Sequence, residues 1–241
     1  MKWYVISLDR TPERYSTFRR ANSAHGYIER FPAVDGRHLN LAELGRQGLA
    51  DMTLTYTKGA IGNALTHRAL WQRAVEDNEA ITVFEDDAYL HDQFASASER
   101  LLSQLPPNWD IVLWGWNFDS GLIAAPEPRL AVCLMRFNQA EMREHKSGYL
   151  RGKPHSVLLR LHACFGTVSY SISPSGARKF LQRCFPLHQF VLSIPDFGIN
   201  LQSGGLDAEL CRHYQSTESR VCFPPLVVTD NDSGNSTVQT G

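Results

Sequence analysis

The chain has 241 residues, 43% of them hydrophobic, and a formal net charge of −1. That length suits one large domain, the near-neutral charge argues against a dedicated nucleic-acid binder, and no apolar run approaches the ~20 residues that a membrane helix needs. Five scattered cysteines, none in a C-x-x-C pair, point to small core thiols in a reducing compartment and away from a disulfide framework.

In chain order, the start Met1-Lys2-Trp3-Tyr4-Val5-Ile6-Ser7-Leu8 lacks a small-residue cleavage site. It reads as a first strand over 3–8, not a signal peptide. Thr11-Pro12-Glu13 predicts a helix start, with Thr11 as N-cap and Pro12 at the first helical position. The Arg-rich helix then runs over 13–24 and ends at His25-Gly26. Phe31-Pro32-Ala33-Val34 predicts a second short strand, turned by Asp35-Gly36. This β-α-β opening favours an α/β fold.

Residues 40–54 read as a helix and an irregular connection. From Ile61 a helical face recurs through Leu65, Ala69 and Leu70, closing at Asp77-Asn78. A strand follows over 80–84, then a helix over 94–105, broken by Pro106-Pro107-Asn108, and a strand over 109–114. Residues 115–154 are rich in Gly, Pro and charge, with no clear period. They read as an excursion with room for short strands, a lid or an acceptor wall. A strand is expected over 163–172 and a helix over 177–184. The polar tail 229–241 is expected to be mobile unless a ligand orders it. With no repeat and no linker, one domain over 1–241 is expected.

The sharpest chemical signal is Ile81-Thr82-Val83-Phe84-Glu85-Asp86-Asp87-Ala88. Three adjacent carboxylates repel one another and resist desolvation, so a strand that delivers them together points to a bound cation. Glu85 and Asp87 would share a side if the extended geometry persists. The alternative is a solvated acidic turn. Lys58-Gly59-Ala60-Ile61-Gly62 places two glycines at a loop-to-helix junction, where free N–H groups can meet an anion. A plain turn serves equally well. His67 lies one or two turns further on, and a hydrogen-bonded helix histidine is the commoner outcome. Arg10 and Arg14 follow the first strand, in the loop region where open α/β sheets bind ligands. Arg14 as a surface helix residue is the alternative. Asp207, in Gly205-Leu206-Asp207, suits a general base or a helix N-cap. Asp196 is a rival for the base.

In combination these features resemble glycosyltransferase family 25, the lipopolysaccharide and lipooligosaccharide galactosyltransferase-like group. The resemblance runs through Val5-Ile6-Ser7-Leu8-Asp9-Arg10 with Arg14, Phe31-Pro32-Ala33-Val34-Asp35-Gly36, and Lys58-Gly59-Ala60-Ile61-Gly62-Asn63-Ala64-Leu65-Thr66-His67. It continues through Val83-Phe84-Glu85-Asp86-Asp87-Ala88, Gly166-Thr167-Val168-Ser169-Tyr170, Leu206-Asp207 and Pro224-Pro225-Leu226-Val227. Asn63 stands where a cysteine is frequent and Thr66 where a serine is frequent. Residues 115–154 match no motif of the group.

The resemblance implies a GT-A-like α/β domain with a mixed, mostly parallel central sheet flanked by helices. It implies inverting transfer of galactose or glucose from a UDP-sugar to a hydroxyl of a glycan or lipid-linked glycan acceptor. Manganese or magnesium would sit on Asp87 and Glu85, with Asp86 assisting. Arg10 or Arg14 would meet the phosphates, Lys58, Gly62 and His67 would lie in the phosphate or outer metal environment, and Val34 and Asp35 would meet uridine and ribose. Asp207 would be the base, with Asp196 in reserve, and Tyr170 a sugar contact. The expected location is cytoplasmic, with peripheral contact at the inner membrane face through Arg10, Arg14, Arg19 and Arg20. No nucleic-acid partner is expected. Two other readings stay open: a metal-dependent phosphohydrolase of nucleotide-sugars, and a non-catalytic sugar-nucleotide-binding protein.

Overall fold

A computed structural model describes residues 1–231 of the chain. The expected mobile tail therefore lies, from residue 232 onward, outside the described residues. The elements are β1 (Lys2–Ser7), α1 (Pro12–Ala21), β2 (Glu29–Pro32), α2 (Leu41–Arg46), α3 (Lys58–Glu76), β3 (Ile81–Glu85), β4 (Ala88–Leu90), α4 (Phe94–Leu102) and β5 (Ile111–Gly115). They continue with β6 (Leu122–Glu127), β7 (Ala131–Met135), α5 (Gln139–Arg151), β8 (Val157–Ala163), β9 (Ser169–Ile172) and α6 (Pro174–Cys184). The last are β10 (Val191–Ile194), β11 (Ile199–Gln202), α7 (Leu206–Cys211), β12 (Ser219–Phe223) and β13 (Val227–Thr229).

Nine strands form the central sheet in the order β2-β1-β3-β9-β5-β12-β8-β6-β7. β1 pairs in parallel with β2 and β3, and β5 with β12. β9 runs antiparallel between β3 and β5, and the β8-β6-β7 side is antiparallel throughout. The sheet is thus mixed, with most strands pointing one way, as expected from the resemblance.

Period-2 alternation decides which residue enters which layer. Tyr4, Ile6, Val83, Ile111 and Leu113 pack into one apolar cluster with α3, α6 and α7. Val5, Phe84, Val112 and Trp114 enter the other, with Phe18 of α1 and Phe94 and Leu101 of α4. Both faces are covered, which is why these strands read as continuous apolar runs.

Several local expectations change. Of the strand expected over 163–172 only Ser169–Ile172 (β9) and the last residue of β8, Ala163, are extended; between them Gly166 turns the chain at φ +91°, a region open to glycine but costly for other residues. The helix expected within 40–54 is only α2, capped by Asn40, whose side chain accepts from Ala42 and Glu43 N–H. Thr11 does precede α1, but its side chain makes no cap hydrogen bond. The 115–154 excursion carries regular structure, the β6-β7 hairpin and the 13-residue helix α5.

One close approach locks the β2 loop onto α3. A Cβ on Gly36 would lie 1.8 Å from the Lys58 carbonyl oxygen, and one on Gly62 2.6 Å from that of Val34. Backbone cannot yield as a flexible side chain would. Gly36→Ala is therefore expected to lower the urea unfolding midpoint by the equivalent of about 1–3 kcal/mol. An unchanged midpoint would show that this junction relaxes freely.

Candidate active site

A cleft of about 360 Å³ opens where β1, β2, β3 and β5 reach their carboxyl ends. Ser7 and Leu8 line it after β1, Val34 and Asp35 after β2, Glu85, Asp86 and Asp87 at the end of β3, and Asn117 beyond β5. Because β9 runs the other way, the residues before it, Gly166 and Thr167, meet the same edge. The first turns of α3 and α7 add Gly59, Ala60, Asn63, Leu206 and Asp207.

The acid cluster is only partly neutralised. Arg14 Nε donates to Asp86 Oδ1 at 2.7 Å, and Arg14 Nη2 lies 3.9 Å from Asp87 Oδ2. Thr167 Oγ1 donates to Glu85 Oε1 at 2.5 Å. Burial first, then the charge of Asp87, pushes the Glu85 carboxyl up from its ordinary range. Asp87 is also raised, by burial above all and by Asp86, while Arg14 and a hydrogen bond with Thr229 oppose the shift. Asp87 Oδ1 is buried without a hydrogen-bond partner. Glu85 and Asp87 are thus carboxylates whose charge is costly as they stand, and a cation would relieve it. The turn after Glu85 keeps the three acids from closing on one point. The triads of His, Cys, Asp and Glu whose ligand atoms gather within 4.8 Å, among the described residues, lie elsewhere. A cation on Asp87 and Glu85 would need other oxygen ligands from water or a bound anion.

On the β2 side, Arg37 and Arg10 both engage Asp35. Arg37 Nη2 lies 2.6 Å and Arg10 Nε 3.2 Å from Asp35 Oδ2. Hydrogen bonds from Arg37 hold the Asp35 carboxyl down to about 2, so it is an acceptor at any working pH. Val34 N–H is fixed by Thr66 Oγ1 at 2.9 Å.

Asp207 sits in the first turn of α7. The N-cap position, one of the two roles open to it, falls instead to Gly205, whose backbone is extended. Asp207 Oδ1 accepts from Ala208 N–H at 2.8 Å and Oδ2 from Gly166 N–H at 3.4 Å. Burial raises its pKa against those hydrogen bonds. A Cβ at Gly166 would strike the Asn117 side chain at 2.6 Å, so the residue that turns the chain also brings its N–H to Asp207.

The other candidates fall outside the cleft. Asp196 is exposed on a 3-10 turn and does not line it. Lys58 is exposed, its Nζ 3.4 Å from the Arg37 carbonyl. Gly62 serves the close packing described above. His67 has no exposed surface and cannot touch a ligand directly. Tyr170 is equally buried, so the expected sugar contact is corrected: its strand position faces α3, and its hydroxyl accepts from Trp71 Nε1 at 2.8 Å.

Thr167, Asn117 and Asn231 were not singled out by sequence reasoning. Thr167 lay within a motif noted for its resemblance, Asn117 had no signal, and Asn231 reaches the cleft only through tertiary bracing. That bracing comes from α5. Lys146 pairs with Asp230, Arg143 donates to the carbonyls of Asp230 and Asn231 at 2.6 and 3.0 Å, and Gln139 donates to that of Thr229 at 3.2 Å. The excursion thus straps the segment after β13 beside the acid cluster.

Glu209, two residues past Asp207, is fully buried and pairs with Arg212 at 3.0 Å. Burial pushes its carboxyl from 4.5 up to about 7. The unfolded chain therefore releases this proton first as pH rises. The group's contribution favours the fold below about 4.5 and is lost towards 7. Glu85, Asp87 and Asp207 act in the same direction. Buried histidines such as His67 and His213, whose pKa burial lowers, act the other way, so the test is a difference: from pH 5 to 7.5 the urea midpoint of Glu209→Gln is expected to rise relative to that of the parent chain. Equal slopes would contradict this assignment.

A layered α/β unit with a charged cleft at the carboxyl ends of its strands is the build of ligand-binding α/β proteins. Residues 1–192 match the profile of glycosyltransferase family 25 (LPS biosynthesis protein), and the chain belongs to that family. It is 29% identical over 207 residues to the rat protein named probable inactive glycosyltransferase 25 family member 3, covering 80% of this chain and 32% of that one. It is 30% identical over 211 residues to the mouse protein named inactive glycosyltransferase 25 family member 3, covering 80% and 30%. A glycosyltransferase 25 family member of Aedes aegypti is 28% identical over 198 residues, covering 78% and 29%. The chain therefore spans about a third of the length of these curated relatives. Among the described residues, no helix is long and apolar enough to cross a membrane.

Proposed function

We propose that the chain is a metal-dependent inverting hexosyltransferase that uses a UDP-sugar, galactose or glucose, and a glycan hydroxyl as acceptor. The observation that carries this reading is the charge of the cleft. Arg10, Arg14 and Arg37 face five carboxylates there, Asp35, Glu85, Asp86, Asp87 and Asp207. A diphosphate entering alone would meet a surplus of negative charge; a diphosphate entering with a divalent cation would not. Oxygen-only donors suit manganese or magnesium.

In this reading Asp87 and Glu85 hold the cation, which supplies Lewis-acid stabilisation of the leaving diphosphate. Arg14, anchored on Asp86, and Arg10, anchored on Asp35, meet phosphate oxygens. Val34, held in place because its N–H donates to Thr66, suits contact with the base, and the ionised Asp35 suits the ribose hydroxyls, since a carboxylate accepts from each. Asp207 takes the proton of the attacking acceptor hydroxyl. Its raised pKa brings it closer to neutrality, where a general base works best. A glycan acceptor, lipid-linked or free, and action at the cytoplasmic membrane face belong to the same proposal.

A second reading, a sugar-nucleotide-binding protein without turnover, is favoured by the names of the rat and mouse relatives. Calorimetry with UDP, with and without manganese, followed by UDP-release assays on a glycan acceptor panel, separates the readings. Manganese-dependent UDP binding with acceptor-dependent release is expected. Binding without release favours the second reading. Equal UDP-sugar cleavage without acceptor would indicate a phosphohydrolase, and UDP binding indifferent to manganese would remove the metal from the scheme.

A further inference from the structure

His67 is wholly buried yet lies against the acid cluster. Its Nδ1 is 2.7 Å from the Tyr170 hydroxyl, and its Nε2 is 3.9 Å from Glu85 Oε1 with no hydrogen-bond partner. Trp71 Nε1, which can only donate, is 2.8 Å from the same hydroxyl. The arrangement decides the tautomer. With Nδ1 as acceptor, the indole N–H, the Tyr170 O–H and the Nδ1 lone pair are all satisfied. With Nδ1 protonated, the buried Tyr170 hydrogen loses its acceptor, and the Nε2 lone pair faces a carboxylate. Leaving a buried polar group unpaired in this way costs its full desolvation. The imidazolium is disfavoured as well, since burial pushes the ring pKa down to about 3.

We propose that His67 is a positioning residue: the Trp71–Tyr170–His67 chain fixes the Nε2–H tautomer and aims that N–H at Glu85, clamping the carboxylate when it engages a divalent cation. The proposal rests on the cation reading above. Thr167 already holds Glu85 Oε1 from one side. His67 supplies the second donor to that oxygen, and Glu85 then offers its other oxygen to the cleft. At 3.9 Å the two atoms lie beyond hydrogen-bond range, so the clamp forms only as Glu85 moves toward the ring. Outer partners that orient a metal-binding group in this way typically matter 10–100-fold in metal affinity.

Two measurements on the full chain test this. Nitrogen-15 NMR of the histidine rings is expected to show His67 protonated at Nε2 in the parent chain, with that preference lost in Tyr170→Phe. Manganese affinity, read from the free-ion EPR signal, is expected to weaken about 10–100-fold in His67→Ala. His67→Gln, which keeps a side-chain N–H near the Nε2 position, should recover most of that loss. Affinity for uridine, which carries no phosphate and needs no cation, should not change in either variant; a merely structural defect would weaken it too. If His67→Ala fails to fold, Tyr170→Phe and His67→Gln carry the comparison. An Nδ1-protonated ring, or manganese affinity untouched in His67→Ala, overturns the positioning role alone. No manganese binding by the parent chain removes the cation reading itself, and the purpose assigned to His67 with it.

Discussion

Asp87→Ala is expected to lose transferase activity by about 10³-fold or more while unfolding no earlier than the parent chain. The first half follows from what the residue would hold. In the proposed scheme, removing one of the two carboxylates that would fix the cation weakens the electrostatic stabilisation of the leaving diphosphate. Each ~1.4 kcal/mol so lost is a factor of ten in rate. The second half follows from repulsion. Asp87 is a raised carboxyl with an orphaned buried oxygen beside Glu85 and Asp86. Deleting it lowers the charge density of the metal-free cluster, and among the described residues the links lost are those to Thr229 and to its own backbone N–H and a distant contact with Arg14. Activity and thermal midpoint measured on the same preparation decide the matter. Full activity would end the metal reading, and a large drop in midpoint would mean that Asp87 is structural.

Asp207→Asn is expected to lower kcat by about 10²–10⁴-fold with donor affinity nearly unchanged, the usual span for losing a general base. The substitution is close to isosteric. An amide oxygen can still accept from one of the two backbone donors, Ala208 N–H and Gly166 N–H. What disappears is the capacity to take a proton. Steady-state kinetics, with UDP binding measured in parallel, separate turnover from donor affinity. Asp196→Asn serves as the control, since Asp196 is exposed and away from the cleft. It should behave as the parent chain. An undiminished turnover in Asp207→Asn, or a collapse in Asp196→Asn, would move the base elsewhere.

The alternatives left open by the sequence resolve differently for each residue. Arg14 is not a bystander on a helix surface, because α1 turns it inward onto Asp86. His67 did converge on the acidic strand end, but from behind it. The Gly59-to-Gly62 junction splits its duties: Gly59 and Ala60 line the cleft, whereas Gly62 packs against Val34. Asp35 is already engaged by two arginines, which no pattern in the sequence announces.

What the sequence determined by itself is local or ordered along the chain. Apolar runs such as Ile81–Glu85 and Ile111–Gly115 became central strands because burial on both faces demands unbroken apolar character. Pro12 marks a true helix start, whereas α6 starts at Pro174, three residues before the expected 177, with Ser173 as its cap; the carboxylates of residues 85–87 reach the cleft because a strand end delivers whatever follows it. The ordered motifs also sufficed for the family. Only the tertiary structure decided which groups hold those acids. Thr167 meets Glu85 across 82 positions of sequence, Arg14 meets Asp86 across 72, and Lys146 reaches Asp230 across 84. Such pairings depend on strand order and on which way β9 and α5 run. Local periodicity carries no record of either, because it reports only whether a residue is buried, not which distant residue it is buried against.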